Sequence, residues 1–333
     1  MPLNELEQIN AVVGLTMKIE GWPSTLADLG YVLDRIELKF KIPDPTRPGL
    51  SIYINPDLLF VSDVRNLSLI TELKSGRFQD FEQLDRFMHI TPKDLIRYGG
   101  MPVQNQGQML AHKTSVAEIV NDEFVGEYLS EFVRVNHSAS LVSLGSAEMK
   151  SHHGTLADSK LDGVLKSGLS LKGSKRPTKL VPVLPNTSDE YALVGTVGNA
   201  VKQLWLNNTR NITTTAVGTI VFKQLWDRFD REAQRRYLTI AKEVLNDMVQ
   251  TELYAYLRPV ANDTGRWALL QLPESVNDKH RTRAYQQFGD TIQRYKWRRK
   301  NNAPYDGRRH SANLVFDDQP GYLPKSDEDE EEE

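Results

Sequence analysis

The sequence predicts an α/β protein with a mixed sheet flanked by helices, followed by a helical subdomain and a charged, disordered tail. Three observations predict this class. Apolar and polar residues alternate in short runs between residues 36 and 74, as strands require. Helical spacing of apolar residues dominates after about residue 187, and the last seven residues are all acidic, a composition that cannot form a packed core. We therefore divide the chain into residues 1–186, 187–272 and 273–333.

The pattern of the first 90 residues predicts two helices, a strand hairpin, a third strand and a further helix, in that order. Apolar residues at helical spacing predict two helices at the start, and a third helix follows the strands. Alternation and turn residues predict three strands between them. The expected helices are 4–18, 24–36 and 78–90, and the expected strands are 36–42, 51–61 and 67–74.

The pattern is less regular further along the chain. Residues 112–134 are expected to be helical, and 138–146 and 178–185 to be short buried strands separated by a mobile, Gly- and Ser-rich loop. Thr187 and Glu190 form a potential capping box for a helix that ends near Leu206. Residues 217–257 predict one broken helix or two consecutive helices. Four aromatic residues are assigned to a helical core: Trp205, Phe222, Trp226 and Phe229.

Composition excludes several classes of site. The chain has 333 residues but no cysteine, which rules out disulfides, thiolate nucleophiles and Cys-ligated zinc or iron–sulfur centres. It contains neither the G-x-x-x-x-G-K-[ST] phosphate loop nor the G-x-S-x-G motif of acyl transfer. No apolar run approaches the roughly 20 residues needed to cross a bilayer, and the N-terminus lacks the features of a signal peptide. We expect a soluble, cytoplasmic protein with no membrane partner.

One group of residues has the composition of a phosphodiester-hydrolysis site. Asp57 lies within one predicted strand, and Glu72 and Lys74 lie on the same face at the end of the next strand. Antiparallel pairing can bring the two carboxylates together, where they repel each other and favour a hard divalent cation with oxygen ligands. A lysine beside them can orient or deprotonate an attacking water and contact a phosphate.

These residues resemble the PD-(D/E)XK nuclease superfamily. Pro56-Asp57 matches the first half of its motif and Glu72-Leu73-Lys74 the second, and the elements over about residues 24–90 look like its restriction-endonuclease-like core. Gln83, followed four positions later by Phe87, resembles the Gln-x-x-x-Tyr motif of RecB-like members, with Phe in place of Tyr.

The resemblance implies a Mg²⁺- or Mn²⁺-dependent deoxyribonuclease. Asp57 and Glu72 would bind the metal, Lys74 would assist the water, and Gln83 would help to order the site. Members of this superfamily serve restriction, recombination, repair or antiviral defence, often as homo-oligomers or beside a helicase or ATPase. Many also supply an acid from upstream, and the sequence leaves six candidates for it: Glu5, Glu7, Glu20, Asp28, Asp34 and Glu37.

A second expected DNA-binding feature is a basic segment near the C-terminus. Without the seven terminal acids, the count of acidic residues falls from 44 to 37, against 41 basic ones. Bases interleaved with aromatics suit phosphate contact and base stacking. The candidate residues are Arg294, Lys296, Trp297, Arg298, Arg299 and Lys300. The acidic tail, residues 327–333, is expected to compete with DNA for this segment.

Two other functions stay open at the level of sequence. The chain could keep the nuclease fold as a catalytically inactive nucleic-acid-binding or scaffold protein, in which case DNA affinity would not depend on the carboxylates. Alternatively it is a structural or assembly protein whose charged tail recruits a partner and in which the two motif fragments occur by chance. It would then bind no divalent metal and have no three-strand arrangement around Asp57.

Overall fold

The computed structural model describes residues 2–44, 47, 49–99, 101, 106–260, 265–270 and 278–305. The described chain divides into two compact units. The first consists of residues from Met1–Leu184 and Asp227–Ala233, and the second of residues from Pro185–Trp226 and Gln234–Glu333. No helix of the described residues combines the length and the apolar character needed to cross a membrane.

The first unit contains both helices and strands. Its helices are α1 (Glu5–Gly14), α2 (Thr25–Asp28), α3 (Glu82–Phe87), α4 (Pro92–Tyr98), α5 (Gln106–Ala111), α6 (Val125–Val135) and α7 (Ser159–Ser167). Its strands are β1 (Val32–Ile36), β2 (Phe40–Pro43), β3 (Ser51–Ile54), β4 (Leu58–Ser62), β5 (Leu67–Lys74), β6 (Lys113–Asn121), β7 (Ser140–Leu144), β8 (Glu148–His153) and β9 (Leu169–Ser170). A short 3₁₀ turn, Asp122–Phe124, joins β6 to α6.

Seven of these strands form one mixed sheet in the described part of the unit, in the order β1-β4-β5-β6-β7-β8-β9. β1, β4 and β5 pair antiparallel, β5, β6 and β7 pair parallel, and β7, β8 and β9 pair antiparallel. Helices α1, α6 and α7 pack against the sheet. The predicted α/β class, with a mixed sheet flanked by helices, is therefore confirmed.

The central strand β5 follows from its sequence. Every residue from Leu67 to Leu73 is buried, as expected for a strand that is covered on both faces. The turn that precedes β5 ends at Asn66, which has a φ of 55°. Asparagine tolerates this left-handed conformation better than most residues, so the chain can reverse there and pair β5 with β4.

The predicted helix over 24–36 is wrong in its second half, and the predicted hairpin is rearranged. Helix α2 ends before Gly30, whose φ of 76° breaks helical geometry, and the chain then forms β1. β1, rather than the strand 36–42, pairs with β4. β2 pairs only with β3, and these two strands form a separate hairpin. Pro56 has no backbone N–H, which suits it to the gap between β3 and β4.

Three later predictions are also corrected. Residues 113–121, expected to be helical, form β6, a strand that lies between β5 and β7. Its apolar residues, on either side of Glu118, do not alternate as they do in a strand with one exposed face. The expected mobile loop contains β8, α7 and β9. The expected strand 178–185 does not form, and part of its backbone bonds instead to the side-chain amide of Asn10. Asn10 Oδ1 accepts from the N–H groups of Leu180 and Val181 at 2.8 and 2.9 Å.

The second unit is mainly helical. Its elements are α8 (Glu190–Leu206), β10 (Asn211–Thr213), α9 (Thr214–Phe222), α10 (Arg231–Gln250, which begins in the first unit), β11 (Leu257–Pro259), β12 (Arg266–Leu269) and α11 (Asp278–Lys300). The three strands form a small sheet in the order β10-β12-β11. The N-cap of α8 is Asp189, which accepts from the Ala192 N–H at 2.7 Å, and not the predicted Thr187.

Aromatic side chains form much of the second unit's core. The rings of Trp205 and Phe288 stack with their centroids 4.3 Å apart, and those of Phe222 and Trp226 lie 5.5 Å apart. Trp205, Phe222 and Trp226 are buried as predicted, while Phe229 is buried within the first unit's segment. Residues 278–300, predicted to belong to a separate charged segment, instead form α11, which packs against α8.

Candidate active site

The structure brings together the three residues of the predicted catalytic motif. Glu72 and Lys74 share one face at the end of β5, and Lys74 Nζ donates to Glu72 Oε1 at 2.7 Å. Asp57 lies in the link immediately before β4, not within a strand as expected. Its Oδ2 accepts from the Leu73 backbone N–H at 2.7 Å, which fixes the Asp57 carboxylate beside the end of β5.

Gln83 joins this group from helix α3. Its Oε1 accepts from Lys74 Nζ at 3.3 Å, so the ammonium group is held between a carboxylate and an amide. The helix itself is shorter than predicted, beginning at Glu82. Phe87, four positions after Gln83, is fully buried in the hydrophobic core, so it stabilises α3 and does not reach the site.

Two further carboxylates belong to the same site. Glu5, the first residue of α1, lies close enough to influence the charges of Asp57 and Glu72. It is the upstream candidate that the structure brings to the site. Glu118 lies on β6 directly opposite Glu72 in the parallel register, and only 2% of it is exposed. The sequence analysis missed Glu118 because it assigned that segment to a helix.

Burial and mutual repulsion raise the pKa values of these acids. Burial first, and then the negative charge of Glu72, raise the pKa of Asp57 well above its usual range, although the Leu73 N–H partly opposes the shift. The pKa of Glu72 is also raised by burial, against the opposing charge of Lys74. Burial raises the pKa of Glu118 to about 8. A cluster of acids with raised pKa values in a cleft is typical of a functional site.

Lys74 stays charged in this environment. Burial alone lowers the pKa of its ammonium group, but the charge of Glu72 and the hydrogen bond to it outweigh that effect, and the net pKa is raised. The charges of Asp57 and Glu118 act in the same direction. Lys74 is therefore a fixed positive charge, suited to contacting a phosphate or orienting a water.

The site opens into a cleft of about 800 Å³. Six acids line it, namely Glu5, Asp57, Asp80, Glu72, Glu82 and Glu118, against three bases, Lys74, Arg77 and Arg86. When all six acids are ionised, the lining carries an excess of negative charge that repels a polyanion such as DNA. We therefore expect DNA to bind in the cleft only when cations are present.

The donor set fits a hard divalent cation. All candidate ligands are carboxylate oxygens, and Glu72 Oε2 and Glu118 Oε2 are buried with no hydrogen-bond partner. Within the described ranges, no three His, Asp or Glu side chains stand close enough to hold an ion by themselves. Mg²⁺ does not require such a cage, because it keeps several waters and binds proteins through one or two carboxylates.

The predicted basic segment lies on α11 and is partly engaged within the second unit. Arg298 donates to Glu252 at 2.7 Å and to Asp247 at 2.8 Å, and Arg299 pairs with Asp247 and Glu190. Lys296 donates to Asn199 at 2.8 Å. Arg294, Trp297 and Lys300 are the exposed members of the predicted set. The acidic tail, residues 327–333, lies outside the described residues.

Comparison with known families gives one match. Over residues 4–153 the chain is similar to the MJECL32 domain. The match extends from α1 to β8 and includes every residue of the candidate site. No curated protein and no solved structure matches the chain.

Proposed function

We propose that this protein is a Mg²⁺- or Mn²⁺-dependent nuclease that hydrolyses DNA phosphodiester bonds. The observation that carries the proposal is the joint position of Asp57, Glu72 and Lys74 at the end of β5, in a cleft that also contains the buried Glu118 and the half-buried Glu5. The strand arrangement also supports it. β1, β4 and β5 are antiparallel and β6 is parallel to β5, an order compatible with a restriction-endonuclease-like core.

Each residue has a role consistent with its contacts. Asp57 and Glu72 would hold the metal, which when bound lowers the pKa of water and neutralises charge on the phosphate. Lys74 would orient the attacking water or contact the phosphate, since its ammonium group is held in place by Glu72 and Gln83. Gln83 would thus be a positioning residue for Lys74.

The energetic cost of the cluster favours a functional role over a structural one. Like charges in a poorly solvated site destabilise the folded chain, and hydrophobic residues would fill the same space without that cost. The hydrogen bond from Leu73 to Asp57 offsets only part of this repulsion.

The proposal extends to a biological setting. A nuclease of this kind would act in the cytoplasm, in restriction, recombination, repair or defence against mobile DNA. A helicase or ATPase partner, or a second copy of the chain, would help to select its substrate, because the sequence contains no phosphate-loop motif of its own.

The experiment compares wild type with isosteric variants that keep the fold. Wild type, Asp57→Asn, Glu72→Gln and Lys74→Met are incubated with supercoiled plasmid and end-labelled linear DNA in Mg²⁺, Mn²⁺ or EDTA. We expect each variant to lose about 10²-fold or more in cleavage rate. Glu123→Gln is the matched control, because Glu123 is exposed and lies outside the cleft. Cleavage by wild type in EDTA, or full activity of Glu72→Gln, would contradict the proposal.

One observation favours an inactive DNA-binding protein as the second candidate. Glu72 Oε1 is already occupied by Lys74, as in a structural ion pair. If this candidate is correct, wild type cleaves no DNA with either metal, and Glu72→Gln binds DNA as tightly as wild type does. Fluorescence anisotropy with a labelled duplex measures that affinity.

A further inference from the structure

We infer that Glu118 is a metal-ligating residue, and that Glu118 and Glu72 bind one divalent cation between them. The inference deepens the proposed function and rests on it for the role of that cation in DNA cleavage. The binding site itself is argued from the contacts of the two glutamates.

The sheet places the two side chains side by side. Glu72 and Glu118 are direct partners in the parallel register of β5 and β6. Neighbouring strands lie about 4.8 Å apart, and directly paired residues point to the same face of a sheet. Both glutamates line the same cleft. Their carboxylates therefore stand next to each other at the cleft wall.

Each carboxylate keeps one oxygen without a hydrogen-bond partner. Glu72 is 4% exposed and Glu118 is 2% exposed, so neither Oε2 atom is satisfied by bulk water. A buried acceptor without a donor is costly and needs a specific explanation. Two such oxygens on neighbouring carboxylates have the chemistry of a cation site.

Two nearby donors make other contacts, and no donor among the described residues reaches Glu118 Oε2, which argues against a purely structural role for Glu118. Lys74 Nζ donates to Glu72 Oε1 and to Gln83 Oε1. The Tyr128 hydroxyl, which also lines the cleft, donates to the backbone carbonyls of Gly76 and Arg77 at 3.3 Å each. Without a metal, a proton retained by Glu118 can occupy the space between the two Oε2 atoms, and a bound divalent cation would replace that proton.

The donors also indicate the class of cation. Carboxylate oxygens favour Mg²⁺ and Mn²⁺ over softer metals that prefer nitrogen or sulfur. Ca²⁺ takes more oxygen ligands than two glutamates supply. The open side of the cleft leaves room for waters and for a phosphate oxygen to complete the coordination.

The test measures Mn²⁺ binding to the full chain without DNA. Electron paramagnetic resonance of free Mn²⁺ gives the dissociation constant and stoichiometry for wild type, Glu118→Gln, Glu118→Asp and the control Glu123→Gln. We expect Glu118→Gln to bind at least 10-fold more weakly and the control to match wild type. Glu118→Asp distinguishes direct ligation of the cation from a general electrostatic attraction to it. The variant keeps the negative charge, but its carboxylate is set back from the site by one methylene group. It should also bind more weakly.

Two outcomes would overturn the inference: wild-type Mn²⁺ affinity in Glu118→Gln, or wild-type affinity in Glu118→Asp. Circular dichroism of each variant verifies that it is folded. The result is separable from the proposed function. Cleavage by wild type together with unaltered Mn²⁺ affinity in Glu118→Gln rejects the inference and keeps the nuclease. Glu118-dependent Mn²⁺ binding without cleavage rejects the nuclease and keeps the site.

Discussion

The raised pKa of Glu118 makes a prediction about stability in the absence of metal. Replacing Glu118 with Gln should raise the free energy of unfolding at pH 8.5 and leave it nearly unchanged below pH 5. The folded protein keeps a proton on Glu118 up to about pH 8, whereas the unfolded chain releases it near the ordinary value of 4.5. Between these values the unfolded state binds fewer protons, so wild-type stability falls as pH rises. Glutamine has no proton to lose and avoids this decline.

The magnitude follows from the size of the shift. The rise from 4.5 to about 8, at about 1.4 kcal/mol per pH unit, corresponds to about 5 kcal/mol of stability lost by wild type across the window. Glu118 is almost fully buried, so solvent screens this effect only weakly. Relaxation of the carboxylate toward the cleft would reduce it, and we expect a pH-dependent difference of about 2–5 kcal/mol between wild type and variant.

The assay is urea denaturation in EDTA between pH 5.0 and 8.5, for wild type, Glu118→Gln and Glu123→Gln. Trp22 is the only tryptophan within residues 1–184, so ¹⁹F resonances from 5-fluorotryptophan labelling distinguish unfolding of the first unit from that of the second. The control should differ from wild type by a constant amount at every pH. A difference between Glu118→Gln and wild type that is also independent of pH would refute the reasoning.

Three other predictions follow from the described contacts and the charge of the tail. Gln83→Leu removes an acceptor of Lys74, and we expect a loss of about 10-fold in cleavage rate with unchanged DNA affinity, measured by single-turnover kinetics and anisotropy. Arg298→Ala leaves Glu252 without its cation and Asp247 with Arg299 alone, and it should destabilise the second unit by about 2 kcal/mol in urea denaturation; an unchanged midpoint would contradict this. Truncation after Lys325 removes the terminal acids and should tighten non-specific DNA binding at low salt, whereas coincident isotherms across a salt series would reject competition by the tail.

The central part of the site was predictable because its signals are local. Alternation over residues 67–74 put Glu72 and Lys74 on one face, and the short turn before β5 implied an antiparallel partner strand carrying Asp57 nearby. Each inference needed only residues close in sequence. The link that contains Asp57 still differed from expectation, because Pro56 has no backbone N–H to donate and the predicted strand is divided there into β3 and β4.

The rest depends on partners that are distant in sequence. Glu118 lies in β6, where burial on both faces removes the period-two pattern and leaves an apolar run that also fits a helix. Nothing in the sequence indicated that Arg298 is paired with acidic residues, because its partners Glu252 and Asp247 lie 46 and 51 positions away. The choice of Glu5 among six upstream acids required knowing that α1 packs against β5.

The charge of the cleft connects metal binding to DNA binding. Six acids and three bases line the cleft, so its ionised lining repels a phosphate backbone. Lys74 cannot offset this excess of negative charge, because its ammonium group already neutralises Glu72. A divalent cation held by the carboxylates adds the positive charge that is missing where a phosphate must approach. Because coupling between two ligands is reciprocal, DNA should then raise the affinity for the metal by the same factor as the metal raises the affinity for DNA. Above about pH 8, where it is ionised, Glu118 increases the negative charge of the apo cleft. As a ligand of the cation, it also increases the affinity for the ion that reverses that charge. It should therefore strengthen the coupling in both directions.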